Sequence, residues 1–143
     1  MERESLRYYA NIVSAHSTHT LKAIDKLKDI PIKMIAPSHG LLWRKDPAHI
    51  VSLYKKWASY SVEGREKAVT LLYASMYGNT RQYADAVGQA IAEQGLPVEV
   101  FDVNTIHVSY LLASMWKNQG ILVCAPTYEG SLFPVMQDVL NMA

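Results

Sequence analysis

Four residues, Ser75, Gly78, Asn79 and Thr80, have the types and spacing of a binding site for an anion. They follow the mostly apolar run 68–72 and precede a stretch with helical periodicity, where a strand is expected to become a helix. The first N–H groups of a helix lack partners within it and lie at the positive end of its dipole, which favours a phosphate. Gly78 permits a tight turn or a close backbone approach. An ordinary strand-to-helix turn, with Ser75 or Thr80 as the helix cap, fits the same residues.

The elements around this loop alternate between strand and helix. The pattern predicts strands at 68–74, 97–103 and 120–125, a helix over 79–94 with Gly95 as its stop, a helix over 109–117 capped by Ser109, a turn at 126–130 and a last helix from Pro134 to Asn141. Near-continuous apolar strands joined through helices predict an α/β fold, with a parallel sheet covered by helices on both faces. Ligands of such sheets bind beyond the carboxyl ends of the strands, where the loops 75–80 and 126–130 are expected.

The first part of the chain contains a second candidate site residue, His39. Residues 32–36 are strand-like, residues 37–40 form a turn, and Asp46 and Pro47 provide the cap and first turn of an amphipathic helix. A lone His after a strand is more often a hydrogen-bonded loop residue than a ligand, since one imidazole is a weak metal site.

Composition and charge limit the class of protein. The chain has 143 residues, of which 50% are hydrophobic and 19% charged, as in globular domains. Residues 1–67 contain 12 Lys and Arg against 7 Asp and Glu, a balance of +5, whereas residues 68–143 have 2 against 6, a balance of −4. This shift suggests a junction between two units near residue 67. Without a dense basic cluster, nucleic-acid binding is not expected.

The sequence contains neither a run of roughly 20 apolar residues nor a secretory signal, so we expect no membrane association and a cytoplasmic location. The single Cys124 excludes an internal disulfide and is expected to be a small buried core residue. A GxxxxGK[ST] loop is missing, which disfavours a nucleotide triphosphatase.

The two loops together resemble those of flavodoxins. SMYGNT at 75–80 resembles the phosphate loop, and APTY at 125–128 resembles the loop beside the flavin ring. The sequences of these loops, with PTYEG and LFP further on, are most similar to the flavodoxin domain of flavodiiron proteins. In that domain both loops hold FMN. This resemblance implies cofactor contacts from eleven residues: Ser75, Met76, Tyr77, Gly78, Asn79, Thr80, Pro126, Thr127, Tyr128, Glu129 and Gly130. Family members often have Asn where this chain has Glu129. Tyr77 and Tyr128 fit either flavin-flanking aromatics or half-buried packing residues.

The first part of the chain resembles the same family independently. IAPSHGLLWR at 35–44 is similar to the end of its metallo-β-lactamase-like domain, where the His of the motif, here His39, ligates one iron. The resemblance implies two domains, with residues 1–66 ending the metallo-β-lactamase-like domain and residues 67–143 beginning the FMN-binding, flavodoxin-like domain. The family's His-x-Glu-x-Asp-His cluster and the last two flavodoxin strands do not occur here. We therefore expect a central fragment with an incomplete sheet, unable by itself to hold two irons.

The resemblance implies FMN-dependent electron transfer to a di-iron site that reduces oxygen, nitric oxide or both in the parent protein. It further implies an electron donor such as rubredoxin or a flavin reductase, and a head-to-tail homodimer. The isolated chain is expected to be inactive. Two other functions stay open: a non-catalytic fragment or interaction module without cofactor, and a flavodoxin-like quinone reductase or electron carrier.

Overall fold

A computed structural model describes all residues, 1–143, and divides them into two compact units, Met1–Gly64 and Arg65–Ala143. The charge pattern predicted a junction near residue 67, a few positions further along the chain. None of the helices combines the length and apolar character needed to cross a bilayer.

The first unit is built from helices around an aromatic core. Helix α1 (Glu2–Tyr8) continues through a π-helical segment (Tyr9–Val13) and a 3-10 turn (Ser14–His16) into α2 (Ser17–Leu27), and α3 (Pro47–Ser59) follows later. The ring of the fully buried Tyr9 lies 5.1 Å from that of Tyr54 and 5.7 Å from that of Trp57. The predicted start of α3 is confirmed, since Asp46 Oδ1 accepts from His49 N at 3.1 Å and Pro47 follows.

The strand predicted at 32–36 is wrong as a regular element. A single antiparallel bridge joins Ile35 and Trp43, with N···O distances of 3.0 and 2.9 Å, and residues 31–34 have no regular secondary structure. A strand needs a neighbouring backbone, which the apolar pattern of a single segment cannot reveal.

The second unit is an α/β sheet with short connections. Its elements are β1 (Glu66–Tyr73), α4 (Asn79–Glu93), β2 (Val98–Asp102), α5 (Val108–Lys117), β3 (Asn118–Cys124), a hairpin of β4 (Thr127–Tyr128) and β5 (Ser131–Leu132), and α6 (Pro134–Asn141). The strand order is β2-β1-β3, and both pairings are parallel. The predicted α/β class with a parallel sheet is confirmed.

Helices cover both faces of this sheet, as predicted. On one face, Leu71 and Tyr73 pack with Ala84 of α4. On the other face, Leu72 packs with Leu111 of α5 and Met136 of α6. The edge strand β3 is less covered by the helices. Its consecutive residues Ile121, Leu122 and Val123 are each 40% exposed.

Three local predictions in this unit need correction. Ser109 does not cap α5; the ring of His107 does, with Nδ1 accepting from Ser109 N at 3.2 Å. Strand β3 begins at Asn118 rather than at residue 120, directly after α5 and without a loop. Cys124, expected in the core, is only partly buried, because it lies at the end of an edge strand.

A buried polar network ties α5 to the sheet. The hydroxyl oxygens of Thr70 and Ser114 are 2.7 Å apart, and Asn118 Nδ2 donates to Thr70 Oγ1 and to Glu99 Oε2, each at 3.0 Å. Ser114 and Lys117 also donate to the Glu99 carboxylate, the latter at 2.9 Å. The network therefore joins α5 to all three strands of the sheet.

Candidate functional site

The two candidate loops leave neighbouring strands at the same edge of the sheet. Tyr73 at the end of β1 pairs with Cys124 at the end of β3, and Ala74 N donates to Cys124 O at 2.9 Å. Because the strands are parallel, the loops 75–80 and 126–130 both begin at the carboxyl edge, next to each other. The sheet thus brings the two predicted groups of site residues together.

The first loop leaves the start of α4 open to an anion. Gly78 N donates to Ser75 Oγ at 3.0 Å, so the Ser75 hydroxyl folds the loop and does not cap the helix. Gly78 is the residue before the helix, in a left-handed conformation with φ of 88°, and provides no side-chain cap. The bond from Gln82 N to Gly78 O, 3.1 Å, is the first of the helix, so the amides of Asn79, Thr80 and Arg81 have no helical partner. Open amides at a positive helix end are the donors that a phosphate needs.

The second loop is a short hairpin. Thr127 pairs with Leu132 and Tyr128 with Ser131, while Glu129 and Gly130 form the turn, with φ of 48° and 78°. Phe133 N donates to Pro126 O at 3.1 Å and closes the base of the hairpin. Sequence reasoning predicted the turn but not its two short strands, and positive φ at both central residues is typical of tight hairpin turns.

Apolar side chains of both loops face solvent. Tyr77 is 86% exposed, so the interpretation of this residue as a half-buried packing aromatic is wrong. Met76 and Tyr128 are 42% and 43% exposed, and the Tyr128 ring meets Phe133 edge-on at 6.3 Å. Exposed flat rings and a thioether at one sheet edge form a surface onto which a planar ligand can stack.

Sequence reasoning missed Tyr73, which lies two residues before Ser75. This residue is buried and faces Asp102 of the neighbouring strand β2. Burial, followed by the Asp102 charge, raises the pKa of Tyr73 above its usual 10.0. A Tyr as the last residue of an apolar strand was the available signal.

His39 lies in the first unit and has no metal-binding cluster around it. Its exposed ring is 5.8 Å from the ring of Tyr8. No group of three or more His, Cys, Asp or Glu side chains in the chain is arranged to hold a metal ion. The residues present therefore do not form an iron site by themselves.

The chain is similar to known proteins in both sequence and fold. Residues 71–137 match the flavodoxin family model. The anaerobic nitric oxide reductase flavorubredoxin of Aliivibrio salmonicida is 37% identical over 142 residues, which are 96% of this chain and 28% of the relative, and that of Vibrio vulnificus is 35% identical with the same coverage. The rubredoxin:oxygen oxidoreductase of Desulfovibrio gigas superimposes with a TM-score of 0.86 at 26% identity, over 99% of this chain and 35% of that one.

The flavodiiron protein of Giardia intestinalis has the same fold, with a TM-score of 0.85 at 24% identity over 96% of this chain and 33% of its own. The second unit is thus a flavodoxin-like domain. By sequence and fold the chain is similar to flavodiiron proteins and flavorubredoxins, and it spans little more than a quarter of the length of the curated relatives that it matches.

Proposed function

We propose that the chain is the FMN-binding electron-transfer segment of a flavodiiron oxidoreductase. The observation that carries this proposal is the pair of loops at one sheet edge, one of which presents the unpaired amides of α4. FMN would supply the redox chemistry, while the protein binds and orients it.

Each loop has a separate role in this proposal. The amides at the start of α4, with the side chains of Asn79 and Thr80, would hold the phosphate, and Gly78 leaves room because no atom lies within 4 Å of a Cβ built there. Tyr77 and Tyr128 would flank the ring and limit its contact with water. The backbone of residues 126–130 would line the same ring from the second loop.

We further propose that this segment works within a longer protein of the length of its relatives. We propose a di-iron site there that accepts flavin electrons and reduces oxygen or nitric oxide, with His39 as one ligand. The names of the relatives support this proposal, since one is a nitric oxide reductase and another a rubredoxin:oxygen oxidoreductase. A rubredoxin or a flavin reductase is the proposed donor, and a homodimer the proposed assembly.

Titration with FMN tests the phosphate loop. Thr80→Val removes a hydroxyl donor from a charged acceptor, so we expect FMN binding to weaken by about 1 to 3 kcal/mol. Thr18→Val changes an exposed Thr of α2 in the first unit and should leave the affinity unchanged. Equal affinity of the Thr80 variant and the wild type would refute the assignment of Thr80. No binding by the wild-type chain would favour the non-catalytic fragment instead.

A further inference from the structure

Glu129 occupies a turn position that favours other residues. It is the first of the two central residues between β4 and β5, and both it and Gly130 have positive φ. Turns of this kind prefer Asn-Gly, Asp-Gly or Gly-Gly, because Asn, Asp and Gly tolerate the left-handed region better than Glu does. An unfavourable conformation at a candidate site points to a function of the side chain.

The carboxylate of Glu129 is free to act on a ligand of the second loop. Its side chain is exposed and forms no hydrogen bond or ion pair within the chain. An exposed carboxylate is ionised at pH 7. Glu129 also directly follows Tyr128, so its charge is one residue away from the proposed contact with the flavin ring.

The second unit has no spare cation to neutralise this charge. Residues 68–143 contain only two Lys or Arg residues, Arg81 and Lys117. Arg81 Nε lies 3.8 Å from Asp85 Oδ2, and Lys117 Nζ lies 2.9 Å from Glu99 Oε1. Lys117 also directly precedes the first residue of β3, at the opposite edge of the sheet from the two loops. The carboxyl edge therefore keeps an excess of negative charge.

The charge of a flavin ring changes when it is reduced. The neutral ring of oxidised FMN takes up two electrons and one proton and becomes an anion, while the donor loses two electrons. A nearby carboxylate repels the added charge, so it weakens the binding of reduced FMN more than that of oxidised FMN. The ratio of these two affinities sets the difference in reduction potential between bound and free FMN.

We propose that the Glu129 carboxylate lowers the reduction potential of FMN bound at the two loops. This inference rests on the proposed function, because it needs FMN beside the hairpin of β4 and β5. It deepens that function by assigning control of the potential to one side chain. Bound FMN is then a stronger reductant than it would be beside a neutral turn residue, which favours the transfer of its electrons to a further acceptor.

Redox titration of the chain loaded with FMN tests this role. Dithionite supplies the electrons, and an indicator dye reports the potential. Glu129→Gln removes the charge and keeps the size, so we expect reduced FMN to bind about 3- to 10-fold more tightly relative to oxidised FMN. For a two-electron couple this raises the potential by about 15 to 30 mV. Glu129→Asn, a neutral residue that the turn favours, should raise it similarly, whereas Glu129→Asp should keep it near wild type.

Salt and a distant carboxylate are the controls. The difference between the wild type and Glu129→Gln should shrink in 1 M salt, where the screening length is about 3 Å. Glu93→Gln removes another exposed carboxylate, at the last residue of α4 and roughly 20 Å along the helix from Asn79, and should leave the potential unchanged.

The possible failures of this inference and of the proposed function are distinguishable. Bound FMN with equal potentials in the wild type and Glu129→Gln would overturn the role of Glu129 alone. So would an equal shift in Glu129→Asp, or a shift that persists in 1 M salt, because either would show that shape and not charge is responsible. A wild-type chain that binds no FMN would overturn the proposed function, and this inference with it.

Discussion

Glu129 has a backbone conformation that side chains with a Cβ usually avoid. It is the only residue other than glycine with positive φ, 48°, and it forms the first half of the turn between β4 and β5. The left-handed region costs most L-residues roughly 1 to 2 kcal/mol, and Asn and Gly less. The conformation is retained because the hairpin bonds on both sides close over a two-residue turn.

Replacing this residue should therefore stabilise the hairpin. We expect Glu129→Asn to raise the free energy of unfolding by up to about 1 kcal/mol, measured by urea denaturation, because Asn tolerates the left-handed region. Glu63→Asn, at a turn residue without positive φ, is the matched control and should have little effect. A loss of stability in the Glu129 variant would mean that the turn does not have this geometry.

Some features of the site residues could be predicted from the sequence, and others could not. The types and spacing of Ser75, Gly78 and Thr80 were enough to predict a loop that leads into a helix, because helix starts follow local rules. That this loop binds an anion stays a prediction. The conformation of Glu129 was not predictable, since Glu has no preference for such turns. The pairing of Tyr73 with Asp102 was equally hidden, because it depends on the register of two strands separated by a helix.

Helix α5 is held against the sheet by the buried polar network around Glu99. Burial alone would raise the pKa of Glu99, but hydrogen bonds from Ser114, Lys117 and Asn118 and the Lys117 charge outweigh it and hold the pKa below 4.5. The folded protein thus binds the Glu99 proton more weakly than the unfolded chain does. The resulting stabilisation is fully present above about pH 4.5 and is lost as the pH falls through the lower, folded-state pKa.

Acid denaturation should show this coupling. We expect unfolding of the wild type to become easier as the pH falls below about 4.5, and we expect Glu99→Gln to flatten that dependence, as followed by circular dichroism. Asn118→Ala should cost about 1 to 3 kcal/mol at pH 7, because it removes a buried donor to Thr70 and Glu99. Identical acid profiles for the wild type and Glu99→Gln would contradict the assigned role of Glu99.

The sequence predicted whether a segment is a helix or a strand where the segment's own residues determine it. The first and last residues of helices and strands were harder to predict. The starts of α3 and α6 follow from Pro47 and Pro134, and the stop of α4 from Gly95, whose φ is 75°. The cap of α5 was misassigned because His107 is an uncommon capping residue. The strand predicted at residues 32–36 was wrong, because a strand forms only when a second segment pairs with it.

For the chain as a whole, we expect iron to bind only when the chain is part of a longer protein. The chain has no cluster of three or more metal-ligating side chains, and a single imidazole holds iron weakly. We expect the isolated chain to contain no stoichiometric iron by metal analysis. In a chimera in which this chain replaces the 142 matched residues of the Aliivibrio salmonicida flavorubredoxin, His39→Ala should lower the iron content. The FMN content should stay near wild type, because the proposed FMN loops lie in the other unit.

His16→Ala, which changes another exposed histidine of the first unit, is the matched control and should leave iron unchanged. Full iron content in a folded His39→Ala chimera would show that His39 is a loop residue and not a ligand.

The strand order of the second unit has a consequence for synthesis on the ribosome. The central strand β1 is made first, yet its Leu72 pairs with Val123, 51 positions later. At about 5 to 20 residues per second, translation needs roughly 3 to 10 s to produce that partner. During this interval Leu71 and Leu72, both fully buried in the finished fold, cannot have their final neighbours. The nascent chain therefore passes through a period in which its central strand is available to chaperones.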